Sequence, residues 1–209
     1  PAILVQALAT VMNLGMNLIL PLFTASGVFI LGAYFKLQSF IFMPVFGLNN
    51  GMVPIVAYNF GAGRMDRVKK TVKLAVCTAV AIMAVGLAIF QLAPELLLSF
   101  FDASEEMLEI GSVALRIISL SFLLAGFCII AGSVCQAIGN PFYSLIVAVA
   151  RQLVVLLPVA WLLSRSGRLE LVWVAFPVAE LMSLTLSAIF LRRTLRSAEA
   201  RVAGTPRQT

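Results

Sequence analysis

The sequence predicts an all-α integral membrane protein with six transmembrane helices. Three observations lead to this fold class: 61% of the 209 residues are hydrophobic, only 11% are charged, and the apolar residues form six long runs. Soluble domains carry about 25% charged residues, so this chain has too little polar surface to cover a soluble globule. A bilayer-spanning helix needs about 20 mostly apolar residues, and each of the six runs meets that length.

The predicted spans follow one another with short connections. They cover residues 1–22, 30–58, 71–93, 110–134, 142–163 and 170–191. The first span carries no charge, and the second is long enough to tilt or bend. Residues 197–209 are small and polar, so we expect a disordered cytoplasmic tail. Pro1 opens directly into an apolar run without a basic region, which does not predict a signal peptide and suggests a segment of a longer protein.

The charges between the spans predict the orientation of the helices. The loop 59–70, the start of the third span and the tail together hold ten cations: Arg64, Arg67, Lys69, Lys70, Lys73, Arg192, Arg193, Arg196, Arg201 and Arg207. The loop 94–109 contains five acids and no cation. Because cytoplasmic loops are enriched in Lys and Arg, both ends should be cytoplasmic, although Arg165 and Arg168 lie in an outer loop.

The acidic loop also predicts the start of a helix. Asp102 with Glu105 three residues later fits a capping box, and Ser104 is a competing cap. The acids would then lie near the positive end of the following helix.

Several function classes are excluded by residue usage. The chain has no histidine, and Cys77, Cys128 and Cys135 lie in apolar runs without a CxxC pair. These features predict neither a metal site nor a structural disulfide, and they exclude a Ser–His dyad and an HExxH zinc enzyme. The basic clusters flank apolar runs without interleaved aromatic residues, which argues against nucleic-acid binding. We therefore predict a protein that is not an enzyme.

The second span contains four residues that disturb a helix: Pro44, Gly47, Gly51 and Pro54. Membrane helices tolerate such residues because neighbouring helices and cavity water can satisfy the freed backbone groups. We expect this segment to bend, to shape a cleft and to move during transport; a fixed kink that only permits packing is the alternative. The following Gly61-Ala-Gly63 lacks the arrangement of a phosphate-binding loop and predicts a helix stop and turn.

The stretch GLNNGMVPIVAYNFGAGRMDRVKK, residues 47–70, resembles a helix and loop of the MATE family, the multidrug and toxic compound extrusion transporters. Further similarities follow in order along the chain. They are Pro1-Ala-Ile-Leu, Gln136-Ala-Ile-Gly139-Asn140-Pro141, Arg151-Gln152 with Pro158, and Phe176-Pro177-Val-Ala-Glu180. Together they cover nearly the whole chain, and their order carries the resemblance.

Members of this family have twelve helices in two six-helix lobes, and this chain is similar to the second lobe. The resemblance implies a secondary active antiporter of the bacterial inner membrane. It would export organic, often cationic, compounds in exchange for H⁺ or Na⁺ by a rocking motion of the lobes. The implied partners are a missing N-terminal six-helix lobe, the lipid bilayer and a small organic substrate, with no cofactor beyond the coupling ion.

Polar groups inside the spans are candidates for the transport pathway, since such groups are costly in hydrocarbon. The amide candidates are Gln6, Asn13, Asn17, Gln38, Asn49, Asn50 and Gln136. The first three lie near one face of the first span, where they either line a cleft or form hydrogen bonds between helices.

Two charged residues fall near the predicted midplane of consecutive helices. Arg151 lies about ten residues into the fifth span and Glu180 about ten residues into the sixth, so we expect a structural ion pair. Lys36 and Arg116 lie near outer ends and could reach the headgroups. If Arg151 neutralises Glu180, this lobe has no free deep acid, and we expect ion coupling mainly in the other lobe.

Three alternatives remain open from the sequence. A lipid-linked saccharide flippase of the same superfamily would need clustered arginines for a pyrophosphate group. A non-transporting structural membrane subunit is the second. The third is a half-transporter that dimerises, in place of a segment of a longer chain.

Overall fold

The computed structural model describes the backbone of residues 2–204, and within that range the side chains of all residues except 2, 3, 5 and 6. This part of the chain is helical, with no β-strand. The α-helices are α1 (Ala2–Ile19), α2 (Ser26–Gly61), α3 (Met65–Leu92), α4 (Pro94–Ser99), α5 (Glu105–Ser119), α6 (Phe122–Ala137), α7 (Pro141–Val149), α8 (Leu157–Ser164), α9 (Leu169–Trp173) and α10 (Ala175–Gly204). A 3₁₀ turn (Leu20–Leu22) follows α1, and a π-helical segment (Ala150–Leu156) joins α7 to α8.

Six helical segments correspond to the six predicted spans, which confirms the fold class. Four are long and apolar enough to cross a membrane: α2, α3, Pro141–Ser164 and Leu169–Gly204. A fifth consists of α5 and α6, which meet at an angle of 47°. The first is shorter, with an apolar stretch at Ala7–Leu22.

The C-terminal segment differs from the sequence prediction. We expected residues 197–209 to be disordered, but α10 continues to Gly204, while residues 205–209 lie outside the described range. Ala198 is 1% exposed, and Glu199 forms an ion pair with Lys69 at the start of α3. The prediction was wrong for 197–204 because small polar residues with good helix propensity can extend a helix that has a surface to pack against.

The same ion pair shows how the ends of the lobe are arranged. Lys69 follows the turn after α2, and Glu199 lies near the end of α10, so these two basic regions lie at one end of the helix assembly. The acidic α4–α5 connection is separated from them by the length of α3. This is the arrangement that the charge pattern requires.

The start of α5 corrects the predicted cap. Ser104 is the N-cap residue, and its hydroxyl accepts a hydrogen bond from the amide of Met107 at 3.4 Å. Asp102 instead adopts a left-handed backbone conformation with φ 52° in the preceding turn. Aspartate tolerates this conformation better than most residues, so the competing cap is the one that forms.

Helices α6 and α10 each pack against several other helices of the lobe. Helix α6 packs against α2, α3, α7 and α10, and the π-helical segment packs against α10. The ring of Phe122 on α6 lies 5.5 Å from that of Phe42 on α2 and 4.9 Å from that of Phe90 on α3, both edge-on. Such edge-to-face contacts favour defined packing beyond the area they bury.

The exposed surface of the lobe is rich in large apolar side chains. Leu18, Phe40, Leu74 and Leu92 are all more than 65% exposed. Soluble proteins rarely expose apolar patches on this scale. A lipid environment explains the surface, because contact with hydrocarbon makes burial of these residues in protein unnecessary.

Helix α2 is uninterrupted over 36 residues although Pro44 and Pro54 lie inside it. The sequence predicts a bend here, and the structure keeps the whole Pro44–Pro54 segment helical. Proline removes one backbone hydrogen bond and is tolerated in membrane helices where neighbours compensate. Movement of this segment during transport stays a prediction.

Candidate functional site

A polar cavity of about 480 Å³ lies between four helical segments of the lobe. Its walls come from α2, α6, the α7–π segment and α10. The polar and charged side chains that line it are Gln38, Ser39, Asn49, Ser133, Gln136, Ser144, Arg151, Ser183 and Ser187, with Cys128 beside them. Such a group of polar residues inside an apolar helix assembly has an unfavourable free energy unless a ligand or water occupies the cavity.

One face of α2 forms the first wall. Gln38, Phe42, Phe46 and Asn49 line the cavity, and their spacing of four, four and three residues places them along one helix face. At a rise of 1.5 Å per residue, this wall is about 16 Å long. The cavity therefore reaches across a large part of the membrane-spanning length.

The turn between α6 and α7 holds the second wall in place. Gln136 on α6 donates a hydrogen bond through Nε2 to the hydroxyl of Ser144 on α7 at 3.0 Å. Ser144 in turn donates to the carbonyl of Pro141 at 2.8 Å. This chain of bonds crosses the connection and orients two cavity-lining side chains together.

The structure brings Arg151 and Glu180 together at the cavity. Arg151 Nη1 donates to Glu180 Oε2 at 3.3 Å. The Arg151 side chain is 35% exposed and lines the cavity, whereas that of Glu180 is 7% exposed. Two consecutive antiparallel helices thus place opposite charges at the same depth, which offsets the cost of burying either one.

The π-helical segment explains how Arg151 is presented. It spans Ala150–Leu156 and ends two residues before Pro158. In a regular α-helix the ring of Pro158 would clash with the carbonyl of Val154, and the wider π winding avoids this clash. Single π turns occur often at functional sites, and here the turn carries the charged residue that faces the cavity.

Several buried polar side-chain atoms around the cavity have no oxygen or nitrogen as a hydrogen-bond partner. They include Asn49 Oδ1, Glu180 Oε1 and Ser183 Oγ. Glu180 is 6% exposed and Ser183 is 1% exposed. Most buried polar groups in proteins are paired, so these atoms indicate a place where a polar ligand, an ion or water completes the arrangement.

The predicted pathway residues divide into two groups. Gln38, Asn49 and Gln136 line the cavity. Asn13 is half-buried and Asn17 and Asn50 are exposed, and none of these three lines it. The side chain of Gln6 lies outside the described residues.

The four helix-disturbing residues of α2 do not face this cavity. Pro44, Gly47, Gly51 and Pro54 are all exposed. At 100° per residue they cluster on the helix face opposite Phe42 and Asn49. The expectation that this segment shapes a cleft therefore does not apply to the cavity inside the lobe.

The serines of the cavity were not among the predicted site residues. Ser183 and Ser187 follow Glu180 at three and seven residues on α10, on the same face, and both are less than 5% exposed. Their spacing relative to an intramembrane acid was the available signal. Ser133 and Ser144 carried no comparable signal, because only the packing of α6 against α7 brings them to the cavity.

Comparison with known proteins places this architecture in a family. A family model described as MatE matches residues 1–162. The chain is 29% identical over 198 residues to the multidrug export protein MepA of Staphylococcus haemolyticus, which covers 94% of this chain and 43% of that protein. It is 28% identical over 157 residues to the probable multidrug resistance protein YoeA of Bacillus subtilis, covering 74% of this chain and 34% of that protein.

The fold matches solved structures of the same kind. A crystal structure of MATE in the bent conformation superimposes with a TM-score of 0.88 at 17% sequence identity, over 96% of this chain and 45% of that chain. At this identity the likeness concerns the fold. The chain spans less than half the length of these relatives and of this structure.

The match to the family model covers more than half of the residues, and it agrees with an apolar lobe of six helical segments, four of which line a polar cavity. The chain belongs to the MatE family.

Proposed function

We propose that this chain forms one six-helix lobe of a secondary active transporter that exports organic compounds in exchange for H⁺ or Na⁺. The observation that carries the proposal is the polar cavity of about 480 Å³ inside an otherwise apolar, membrane-spanning helix assembly. Cavities of this size accommodate drug-sized molecules. The names of the relatives MepA, a multidrug export protein, and YoeA, a probable multidrug resistance protein, support the same substrate class.

The proposal includes a second lobe. The relatives are more than twice as long as the region they share with this chain, and one lobe presents only one side of any cleft between two. Alternating access in such transporters comes from movement of one repeat against the other. We therefore infer a partner lobe, either within a longer chain or as another copy.

Filling the cavity is expected to abolish transport. Gly132 lines it, and a Cβ at this position would lie 3.7 Å from Ser144 Cβ, an ordinary contact. Because Gly132 lines the cavity, the bulk of a tryptophan at this position should occupy part of the cavity volume. We expect Gly132→Trp in the full-length protein to reduce ion-gradient-driven flux of a dye that the wild-type protein transports, ethidium or fluorescein, in proteoliposomes by about tenfold or more, as expected for the loss of a binding site.

The matched control is Leu74→Trp on the outer face of α3, where Leu74 is 67% exposed. This variant should transport at the wild-type rate. Equal rates in the two variants would contradict a role for the cavity in transport. Absence of flux in the wild-type protein under both a proton and a sodium gradient would contradict the proposed function and favour a structural subunit.

We further propose that the turn after α2 and the end of α10 face the cytoplasm of a bacterial inner membrane, because cations concentrate there. In a cysteine-free background, Ala62→Cys should react with a membrane-impermeant maleimide only after cell lysis. Ala103→Cys, in the acidic turn before α5, should react in intact spheroplasts. The reverse pattern would overturn this orientation.

A lipid-linked saccharide flippase is less well supported. Binding of a pyrophosphate group is expected to require several arginines, and Arg151 is the one arginine among the described residues that line the cavity. Among the described residues, the lining supplies amides, hydroxyls and a single cation, which suits the transport of smaller compounds.

A further inference from the structure

We propose that Arg151 binds the anionic group of an organic substrate, such as a carboxylate, and that the substrate competes with Glu180 for this arginine. The inference rests on the proposed function, since it names the substrate chemistry of the same cavity. It also differs from the expectation that the family resemblance implies, which is of organic, often cationic, compounds. Its basis is the charge, exposure and unused hydrogen-bonding capacity of the cavity wall.

The cavity presents a positive charge and no negative one. Among the described residues that line it, Arg151 is the only charged side chain. The carboxylate of Glu180 lies behind it, with Oε1 fully buried. A ligand entering the cavity therefore meets the guanidinium and not the acid, so an organic cation would face like charge at close range.

The guanidinium has unused donors. Arginine carries five N–H groups, and the described contacts of Arg151 consist of one bond from Nη1 to Glu180 at 3.3 Å. Paired guanidinium and carboxylate groups usually lie at about 2.7–2.9 Å and often form two bonds. The pair is thus a single long contact, and about a third of the arginine side chain is exposed to the cavity.

Nearby polar groups could complete an anion site. Ser183 is 1% exposed and lines the cavity, and its hydroxyl, beside the Cys128 thiol, has no oxygen or nitrogen partner. Ser187 lies one helical turn further along α10 on the same wall. A hydroxyl can donate to an anion, so the buried serine and the arginine offer donors from two adjacent helices, α10 and the π-helical segment.

Competition follows from the single positive charge. One guanidinium neutralises the charge of one carboxylate. In a medium of low dielectric constant, a substrate carboxylate beside the ionised Glu180 would therefore be disfavoured. Removing the charge of Glu180 should therefore strengthen anion binding, whereas removing the charge of Arg151 should weaken it. A merely structural ion pair predicts no such opposite effects.

The test measures binding to the purified full-length protein in detergent, separately from transport. The probes are fluorescein, an anionic dye, and rhodamine 6G, a cationic dye with the same xanthene ring system. The variants are Glu180→Gln, which leaves Arg151 unshared, and the double variant Arg151→Gln with Glu180→Gln, which removes both charges and leaves no buried charge unpaired. Arg193→Gln, on the exposed face of α10, is the control.

We expect wild-type protein to bind fluorescein and Glu180→Gln to bind it about tenfold more tightly, the factor that one charge-assisted hydrogen bond can supply. The double variant should bind it about tenfold more weakly than wild type, and Ser183→Ala should weaken it to a smaller extent. Rhodamine 6G should not show this pattern, and the control should match wild type.

Equal fluorescein affinity in wild-type, Glu180→Gln and double-variant proteins would overturn the inference. So would binding of rhodamine 6G but not fluorescein by the wild type, while leaving the proposed transport function intact. Conversely, the expected binding pattern without ion-driven flux of either dye would support the anion site and count against the transport proposal.

Discussion

Arg151→Gln is expected to lower the free energy of unfolding of the lobe by about 3 kcal/mol, at the lower end of the cost of breaking a buried ion pair because the arginine is partly exposed. The substitution leaves Glu180, 6% exposed, as an uncompensated acid inside a membrane-spanning helix. Denaturation of the purified protein in mixed micelles of mild detergent and sodium dodecyl sulfate measures this change.

The double variant Arg151→Gln with Glu180→Gln should recover most of the lost stability, since neither side chain then carries a buried charge. Arg193→Gln should leave the unfolding free energy unchanged, because Arg193 is exposed. If the single and double variants were equally unstable, the effect would come from lost packing of the arginine and not from the unpaired acid.

The second large effect is expected from Gly126→Val at the crossing of α3 and α6. A Cβ at Gly126 would lie 2.9 Å from Met83 Cγ and 3.3 Å from the carbonyl oxygen of Ala79. Met83 is a flexible side chain that can shift, but the backbone of Ala79 cannot move without displacing α3. Close helix contacts through small residues are a principal source of association in membranes, and overpacking such a contact costs about 1–3 kcal/mol.

Gly47→Val is the matched control. Gly47 also lies inside a helix, but nothing is within 4 Å of a Cβ built there. Both variants replace a helical glycine with valine and so change the helix propensity alike, but Gly47→Val introduces no steric clash. The unfolding free energy of Gly126→Val should fall below that of Gly47→Val by the overpacking cost, and equal values would show that the α3–α6 crossing tolerates separation.

The helices could be predicted from the sequence more completely than the cavity. Long apolar runs predicted all six helical segments, because the requirement to satisfy every backbone group in a bilayer leaves helices as the solution for such runs. The break between α5 and α6 was not predicted, since Leu120 and Ser121 interrupt neither the hydropathy nor the length of the run. The helix beyond residue 197 was missed because its packing partner, Lys69, lies far away in the chain.

The Arg151–Glu180 pair shows where sequence reasoning can reach a site. An ionisable residue at the bilayer midplane needs a partner, and only two such residues occur at matching depth. The amides show what it leaves undecided: Gln38 and Asn49 line the cavity within the lobe and Asn13 and Asn17 do not, and a place for the latter two on a cleft between lobes stays a prediction. The sequence predicts how deep in the membrane a polar residue lies. Which neighbouring helix or cavity its side chain faces depends on how the helices pack.

Composition and charge placement were therefore sufficient to predict the membrane class, the number of helical segments and the two charges at equal depth. Each of these properties depends only on the order of residues along the chain. The cavity was decided by the lateral packing of the helices. Contacts such as Gly126 against Ala79, the π winding before Pro158 and the bond from Gln136 to Ser144 set how α2, α6, α7 and α10 face one another. Gly126 and Ala79 are distant in sequence, and the fit of all three contacts depends on how the helices are assembled.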